Sequence, residues 1–221
     1  MYKPVGKKMI GEKMIRRLFK NNPDGAGLMY PLNGRVHIQK GFMDVESLLA
    51  FINKINESDW LEAVPVVLHC RIGTAGLKDE LNCHPYPVGM PNFVAGECDL
   101  AMAHNGVLYG YTPKIGSKIN DTQVFVNDVL DKLSPGFIKN ADCVKLIEEV
   151  SSPSRLCFMD GNGNVAMTGK WYEDDGLFYS NDGYKERSIW TMPIYSTGKE
   201  TTTKTSGKST SSWYPLSSAS H

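Results

Sequence analysis

The sequence predicts an α+β fold of helices and antiparallel sheets, and three observations predict it. Apolar residues recur at helical spacing in several stretches, as in Val45, Leu48, Leu49, Ile52 and Ile55. Strand-like runs come in neighbouring pairs around turn dipeptides, most clearly 26–31 and 35–40 about Asn33-Gly34, a strong hairpin signal. The links between these runs are short, and short links join antiparallel strands, whereas a parallel crossover needs roughly a dozen residues or more. No internal repeat shows.

Along the chain, 8–21 carries Met14, Ile15, Leu18 and Phe19 on one helical face and stops at Asn22-Pro23-Asp24-Gly25, a turn sequence with proline second. The hairpin follows, then the helix 45–55. Residues 63–72 are expected to form a buried strand. Residues 98–103 and 107–111 read as strands separated by His104-Asn105-Gly106. Helices are expected at 122–133 and 141–150. A second hairpin pairs 155–160 with 165–168 around Gly161-Asn162-Gly163-Asn164, and a further strand is expected near 177–180. From about Tyr195 the composition changes to STGKETTTKTSGKSTSS, which cannot bury enough apolar surface to order itself. One domain is therefore expected over 1–194, with a flexible Ser/Thr/Lys-rich tail over 195–221. Trp213, Tyr214 and Leu216 form an apolar island in that tail, able to dock back on the domain or on a protein partner.

Composition narrows the function classes. The 221-residue chain is 41% hydrophobic and 22% charged, as ordinary globular proteins are. Its 24 basic and 24 acidic residues cancel, so no global field favours nucleic acid or an anionic membrane. No stretch approaches the ~20 apolar residues of a membrane span, and the N-terminus has no apolar signal-peptide core. Five scattered cysteines read as free thiols in a reducing compartment, so a cytoplasmic location is expected.

The polar residues argue against several familiar sites. His69, Cys70, Cys83, His84, Cys98 and His104 contain no C-x-x-C pair, and His69 and Cys70 are adjacent on a strand, pointing to opposite faces. No zinc site is expected. The loop beginning at Asp160 has Val165 and Trp171 where a calcium loop needs glycine and glutamate, so it reads as a hairpin turn. GTAGLK is too short for a phosphate loop.

What remains is an ordered set of short motifs: Asn22-Pro23-Asp24-Gly25-Ala26-Gly27, His69-x-Arg71-x-x-Thr74-x-Gly76, Asn82-x-His84-Pro85, His104-Asn105-Gly106 and Asn120-Asp121-Thr122. In this order they resemble the class II glutamine amidotransferases of the N-terminal nucleophile hydrolase superfamily, especially the small stand-alone versions of tailed phages. The resemblance covers about residues 1–190 and implies a four-layer αββα sandwich, two antiparallel sheets between helical layers. It implies L-glutamine as the small-molecule substrate, hydrolysed to glutamate and ammonia, with no cofactor and no metal. A phage-encoded chain would work in the host cytoplasm.

The resemblance also implies roles. Arg71 would take the glutamine carboxylate, for which a planar fork of donors suits better than lysine. Thr74 would add a hydroxyl, Gly73 and Gly76 would let the backbone approach, and Asp121 would pair with the α-ammonium. The Asn105 side chain and the Gly106 N–H would form the oxyanion hole, and His84 and His104 would support the site. Plainer readings stand beside these. Arg71 could be a strand-end ion-pair residue, Asn105-Gly106 only a turn, Asp121 a helix N-cap as well as a ligand, and Cys70 a core thiol.

One departure matters. The family's nucleophile is a cysteine at the very N-terminus, whose own α-amino group is the base. This chain opens Met1-Tyr2-Lys3-Pro4 and has no cysteine before Cys70. Either that cysteine lies upstream of Met1 or the nucleophile is lost. The expectation is therefore glutamine binding, with hydrolysis if the upstream cysteine exists. Two alternatives are a pseudoenzyme that binds glutamine or a related amide, and a structural or virion-associated protein using the fold for contacts.

Overall fold

The computed structural model describes residues 1–73 and 76–186, and Met1–Glu186 forms one compact unit. Thr74, the tail over 195–221 and its Trp213, Tyr214 and Leu216 lie outside the described residues. In chain order the elements are β1 (Tyr2–Lys3), α1 (Glu12–Asn21), β2 (Ala26–Leu32), β3 (Arg35–Phe42), α2 (Val45–Ile55), β4 (Val66–Cys70), β5 (Tyr86–Pro87), β6 (Ala95–Cys98), β7 (Leu100–Asn105), α3 (Asp121–Asp128), α4 (Ala141–Ser151), β8 (Arg155–Asp160), β9 (Val165–Met167), β10 (Tyr172–Asp174) and β11 (Leu177–Tyr179).

The strands form two antiparallel sheets, a 7-stranded one in the order β10-β11-β1-β4-β2-β3-β6 and a 4-stranded one in the order β5-β7-β8-β9. The β2–β3 hairpin closes as its dipeptide predicts: Asn33 and Gly34 have φ of 53° and 76°, the positive pair of a type I′ turn. Pairing then runs from Leu32 opposite Arg35 down to Met29 opposite Ile38. The expected strand 98–103 is split at Asp99. Cys98 ends β6 in the larger sheet, and Leu100 starts β7 in the smaller one, so this residue carries the chain from one sheet to the other.

Three buried clusters follow from strand alternation. Leu28, Leu68 and Met1 face α1 and α2, with Ile15, Phe19, Leu48 and Ile52. Met29, Ile38 and Val67 of the larger sheet meet Ala101, Ala103, Cys157 and Met159 of the smaller. Met102, Leu156 and Phe158 face α3 and α4, with Phe125, Val126 and Ile147. Helix ends match their side chains: Asp44 and Asn140 accept the backbone N–H groups of Ser47 and Cys143.

Several expectations are corrected. Residues 109–111 form a 3-10 turn rather than a strand, because the preceding Leu108 N–H is taken by the Asp121 carboxylate instead of a neighbouring strand. The first helix starts at Glu12, behind Gly11, rather than at residue 8. The third ends at Asp128 and tightens into a 3-10 turn over Leu130–Lys132. No helix among the described residues is long and apolar enough to cross a membrane.

Candidate functional site

The strand β4 ends where the quoted motif begins. Arg71 continues its ladder, donating from its backbone to Gly25 O at 2.7 Å while accepting from Asp24 N at 2.9 Å. The Arg71 side chain is buried at 3% exposure and donates from Nη1 to Leu77 O at 3.1 Å. The Asp24 carboxylate accepts from Gly73 N at 2.8 Å and pairs with Lys78 Nζ at 2.7 Å. The turn after β4 is thereby clasped on both sides. Lys78 and then the Gly73 N–H hold the Asp24 carboxyl below its ordinary range.

β7 ends in His104-Asn105, and Gly106 follows with φ +140°, a conformation that side chains rarely adopt. A Cβ there would lie 2.5 Å from Ser154 Oγ, so only glycine fits. The helix α3 supplies the opposite wall. Asn120 is its N-cap, accepting from Gln123 N at 3.0 Å, and Asp121 is its first residue. The cap expected of Asp121 is thus made by its neighbour. The Asp121 carboxylate accepts instead from Leu108 N at 2.8 Å and Thr122 N at 2.9 Å.

A network beneath the cavity fixes these elements. Tyr86 Oη donates to Asn82 O at 2.8 Å and accepts from Asn120 Nδ2 at 2.6 Å. Gln123 Nε2 donates to Asn82 Oδ1 at 2.9 Å. Gly76 packs on this network, where a Cβ would meet Asn82 Oδ1 at 2.9 Å, and Gly73 packs on Arg71. Both glycines make room for the protein's own groups, and Gly73 also lines the cavity.

Three imidazoles line up along the back. The rings of His69 and His84 stack at 4.2 Å, and those of His84 and His104 lie 6.1 Å apart. His84 Nδ1 accepts the backbone N–H of His104 at 3.0 Å, so the His84 proton sits on Nε2. Burial lowers all three, His69 to about 3, His84 well below its ordinary value and His104 below its own. All are neutral near pH 7. His69 Nδ1 is buried with no hydrogen-bond partner among the described residues.

These parts surround one cavity of about 270 Å³. Its wall includes Arg71, Gly73, His84, His104, Asn105, Gly106 and Asp121, which are thus brought together, whereas Gly76 is not on it. Among the described lining residues, Arg71 and Asp121 are the ionised ones, of opposite sign, because the histidines are neutral. Cys70 also touches the cavity, but burial pushes its thiol up to about 12. A half-buried thiol held protonated there is a poor nucleophile.

A smaller cavity of about 40 Å³ adjoins it, sharing His69, Cys70 and Asn105 and reaching Met1, Tyr179 and Asn181. The Met1 ammonium is buried and donates to Leu68 O at 2.8 Å; burial lowers its pKa.

Sequence reasoning left Asp24, Asn120, Thr122 and Ser154 without roles at the site. The first three lie inside the quoted motifs and were within reach. Ser154 has no motif and no signal of its own. No protein-family model matches the chain, and no curated protein matches it either.

Proposed function

We propose that the chain is a class II glutamine amidotransferase-like protein that binds L-glutamine in this cavity. One observation carries the reading: Arg71 and Asp121, of opposite charge, share a cavity of about 270 Å³ with Asn105 and Gly106. A free amino acid bearing an amide needs an anion receptor, a cation receptor and amide-directed donors in one small space. Arg71 takes the carboxylate and Asp121 the ammonium, its two oxygens keeping lone pairs beyond the backbone bonds they accept. The Asn105 side chain and the Gly106 N–H receive the side-chain carbonyl oxygen, and the negative charge it gains on attack. Each such donor lowers the barrier by about 3 kcal/mol. His84 and His104 support these groups as neutral rings. The three buried clusters fit the interlayer cores of an αββα sandwich.

Hydrolysis requires a cysteine upstream of Met1, because no thiol precedes Cys70 and Cys70 is locked as a thiol. Its thiolate would add to the amide carbon and its α-amine would carry the proton to the departing ammonia. Water would then cleave the thioester to give glutamate. Without such a cysteine the same pocket makes a glutamine-binding pseudoenzyme.

Calorimetry with L-glutamine tests the pocket. Arg71→Ala and Asp121→Ala are each expected to weaken binding by at least ~1.5 kcal/mol, the scale of a hydrogen bond to a charged group. Wild type and variants behaving alike would remove the assignment.

A further inference from the structure

We propose that Ser154 is a positioning residue for the Asn105–Gly106 turn, holding it in shape through the Val107 carbonyl and the His104 ring. The proposal rests on the reading of that turn as the receptor of the substrate carbonyl oxygen.

The direction of the hydrogen bonds follows from counting protons. Ser154 Oγ lies 3.1 Å from Val107 O, which can only accept, so the hydroxyl proton goes there. With that proton spent, Ser154 accepts at its 3.0 Å contact with His104 Nε2. The proton of the neutral His104 ring is therefore on Nε2, and Nδ1 accepts from Thr122 Oγ1 at 2.8 Å, which takes that hydroxyl proton in preference to the longer 3.5 Å contact with Asp121 Oδ1. A one-way chain results: Thr122 to His104, His104 to Ser154, Ser154 to Val107 O. Ser154 is 2% exposed, and with its proton committed it has no part as a nucleophile.

The chain ends on the peptide that needs fixing. The Val107–Leu108 peptide is gripped at both poles, its C=O by Ser154 and its N–H by Asp121 Oδ2 at 2.8 Å. The residue just before it is Gly106, which has no Cβ and the widest torsional freedom of any residue. A glycine in that position does not hold its own N–H in one direction. The grip on the Val107–Leu108 peptide, two peptide units on from the Gly106 N–H, pins the far side of the turn and so narrows that freedom, and Ser154 Oγ also fills the space where a side chain on Gly106 would stand. Asp121 thereby has two tasks, since the carboxylate assigned to the ammonium also fixes the turn. Ser154 has only the second, which makes it the cleaner probe.

Amide hydrogen exchange on the free chain reads this without any ligand. Ser154→Ala is expected to speed exchange at Leu108 by about ten-fold or more, while Phe158 in the β7–β8 ladder keeps its rate. Ser154→Thr, which retains the hydroxyl, should restore protection. Wild-type exchange at Leu108 in Ser154→Ala, or equal acceleration at Leu108 and Phe158, would overturn the proposal. A paired titration with L-glutamine and L-norvaline, which shares the α-end but has no carbonyl on its side chain, extends the test. Ser154→Ala should weaken glutamine and spare norvaline; equal weakening of both counts against the proposal. Should the wild-type chain take up no glutamine while Leu108 accelerates in the variant, the ligand assignment fails and the positioning role stands.

Discussion

The Arg71 guanidinium lies over the Cα of Gly73 so closely that a Cβ on Gly73 would stand 2.9 Å from Nη2 and 3.0 Å from Cζ. The glycine is the seat of the guanidinium. Gly73→Ala leaves every charge in place but forces the fork to move, and a fork that binds a carboxylate by two parallel bonds depends on its aim. Glutamine affinity is expected to fall about ten-fold, with the thermal midpoint nearly unchanged. Calorimetry beside a melting curve checks both; unaltered affinity would detach Arg71 from the ligand.

The three neighbouring histidines, of which His69 and His84 stack, predict acid lability. All have native pKa values below the ordinary 6.5, led by burial, with His69 at about 3. The unfolded chain therefore binds protons that the native chain refuses, and only below 6.5. Stability is constant on this account above that pH and falls as pH drops from 6.5 toward 3. Each histidine contributes up to about 1.4 kcal/mol per pH unit. Urea midpoints between pH 6.5 and 5 read this slope together with one of the same sign from the buried Met1 amine, whose pKa burial also lowers. His69→Gln should reduce the slope and leave the remainder to the other groups. A flat profile over that window would contradict the buried neutral stack.

The hairpin at Asn33-Gly34, the helices α2 and α4, and β8 with β9 were legible because local chemistry and tertiary packing agree there. The site motifs were legible as a set, since Arg71, Asn105, Gly106 and Asp121 come from β4, β7 and the start of α3, all meeting at one cavity. Illegible features depend on distant partners. Nothing local marks Asp99 as the crossing between sheets, or tells that Leu108 gives its N–H to a side chain thirteen positions on. Lys3 and Lys40, 0% and 1% exposed, break the expectation that lysines are solvated. Lys40 is retained by Asn92 Oδ1 at 2.6 Å and the Tyr86 ring at 4.2 Å, both far along the chain. Ser154 belongs with these.

Removing residues 195–221 is expected to leave the thermal midpoint nearly unchanged. The removed segment has the composition of chains too polar to order themselves. The end of the compact unit stays attached without it: Arg17 Nη1 donates to Tyr184 O at 2.8 Å, and Lys13 pairs with Glu186 at 3.0 Å. The rings of Tyr179 and Tyr184 stack at 3.9 Å. Differential scanning calorimetry of the full and shortened chains decides the matter. A loss of several degrees would show that Trp213, Tyr214 and Leu216 contribute packing.

Strand register predicts where a nucleophilic cysteine must be added for hydrolysis. Met1 sits opposite Leu68, bonded in both directions at 2.8 Å and 3.0 Å, and Tyr2 pairs with Val67. Opposed residues share a face, and faces alternate along a strand. Met1 and Leu68 face α1 and α2, whereas Tyr2 and Val67 face the other sheet, on the side of His69. A residue placed directly before Met1 would come opposite His69, and one placed three before would come opposite Arg71, both on the cavity side. A residue two before would come opposite Cys70 and point toward the helices. A cysteine freed at its own α-amine in either of the first two places should release ammonia from glutamine, and one in the second-removed place should not. The 221-residue chain itself should release essentially none, because the Met1 thioether has no proton to lose. A coupled ammonia assay, with mass spectrometry to verify removal of the initiator, reads all four chains. Equal turnover from every placement, or turnover by the unextended chain, would overturn both the register argument and the exclusion of Cys70.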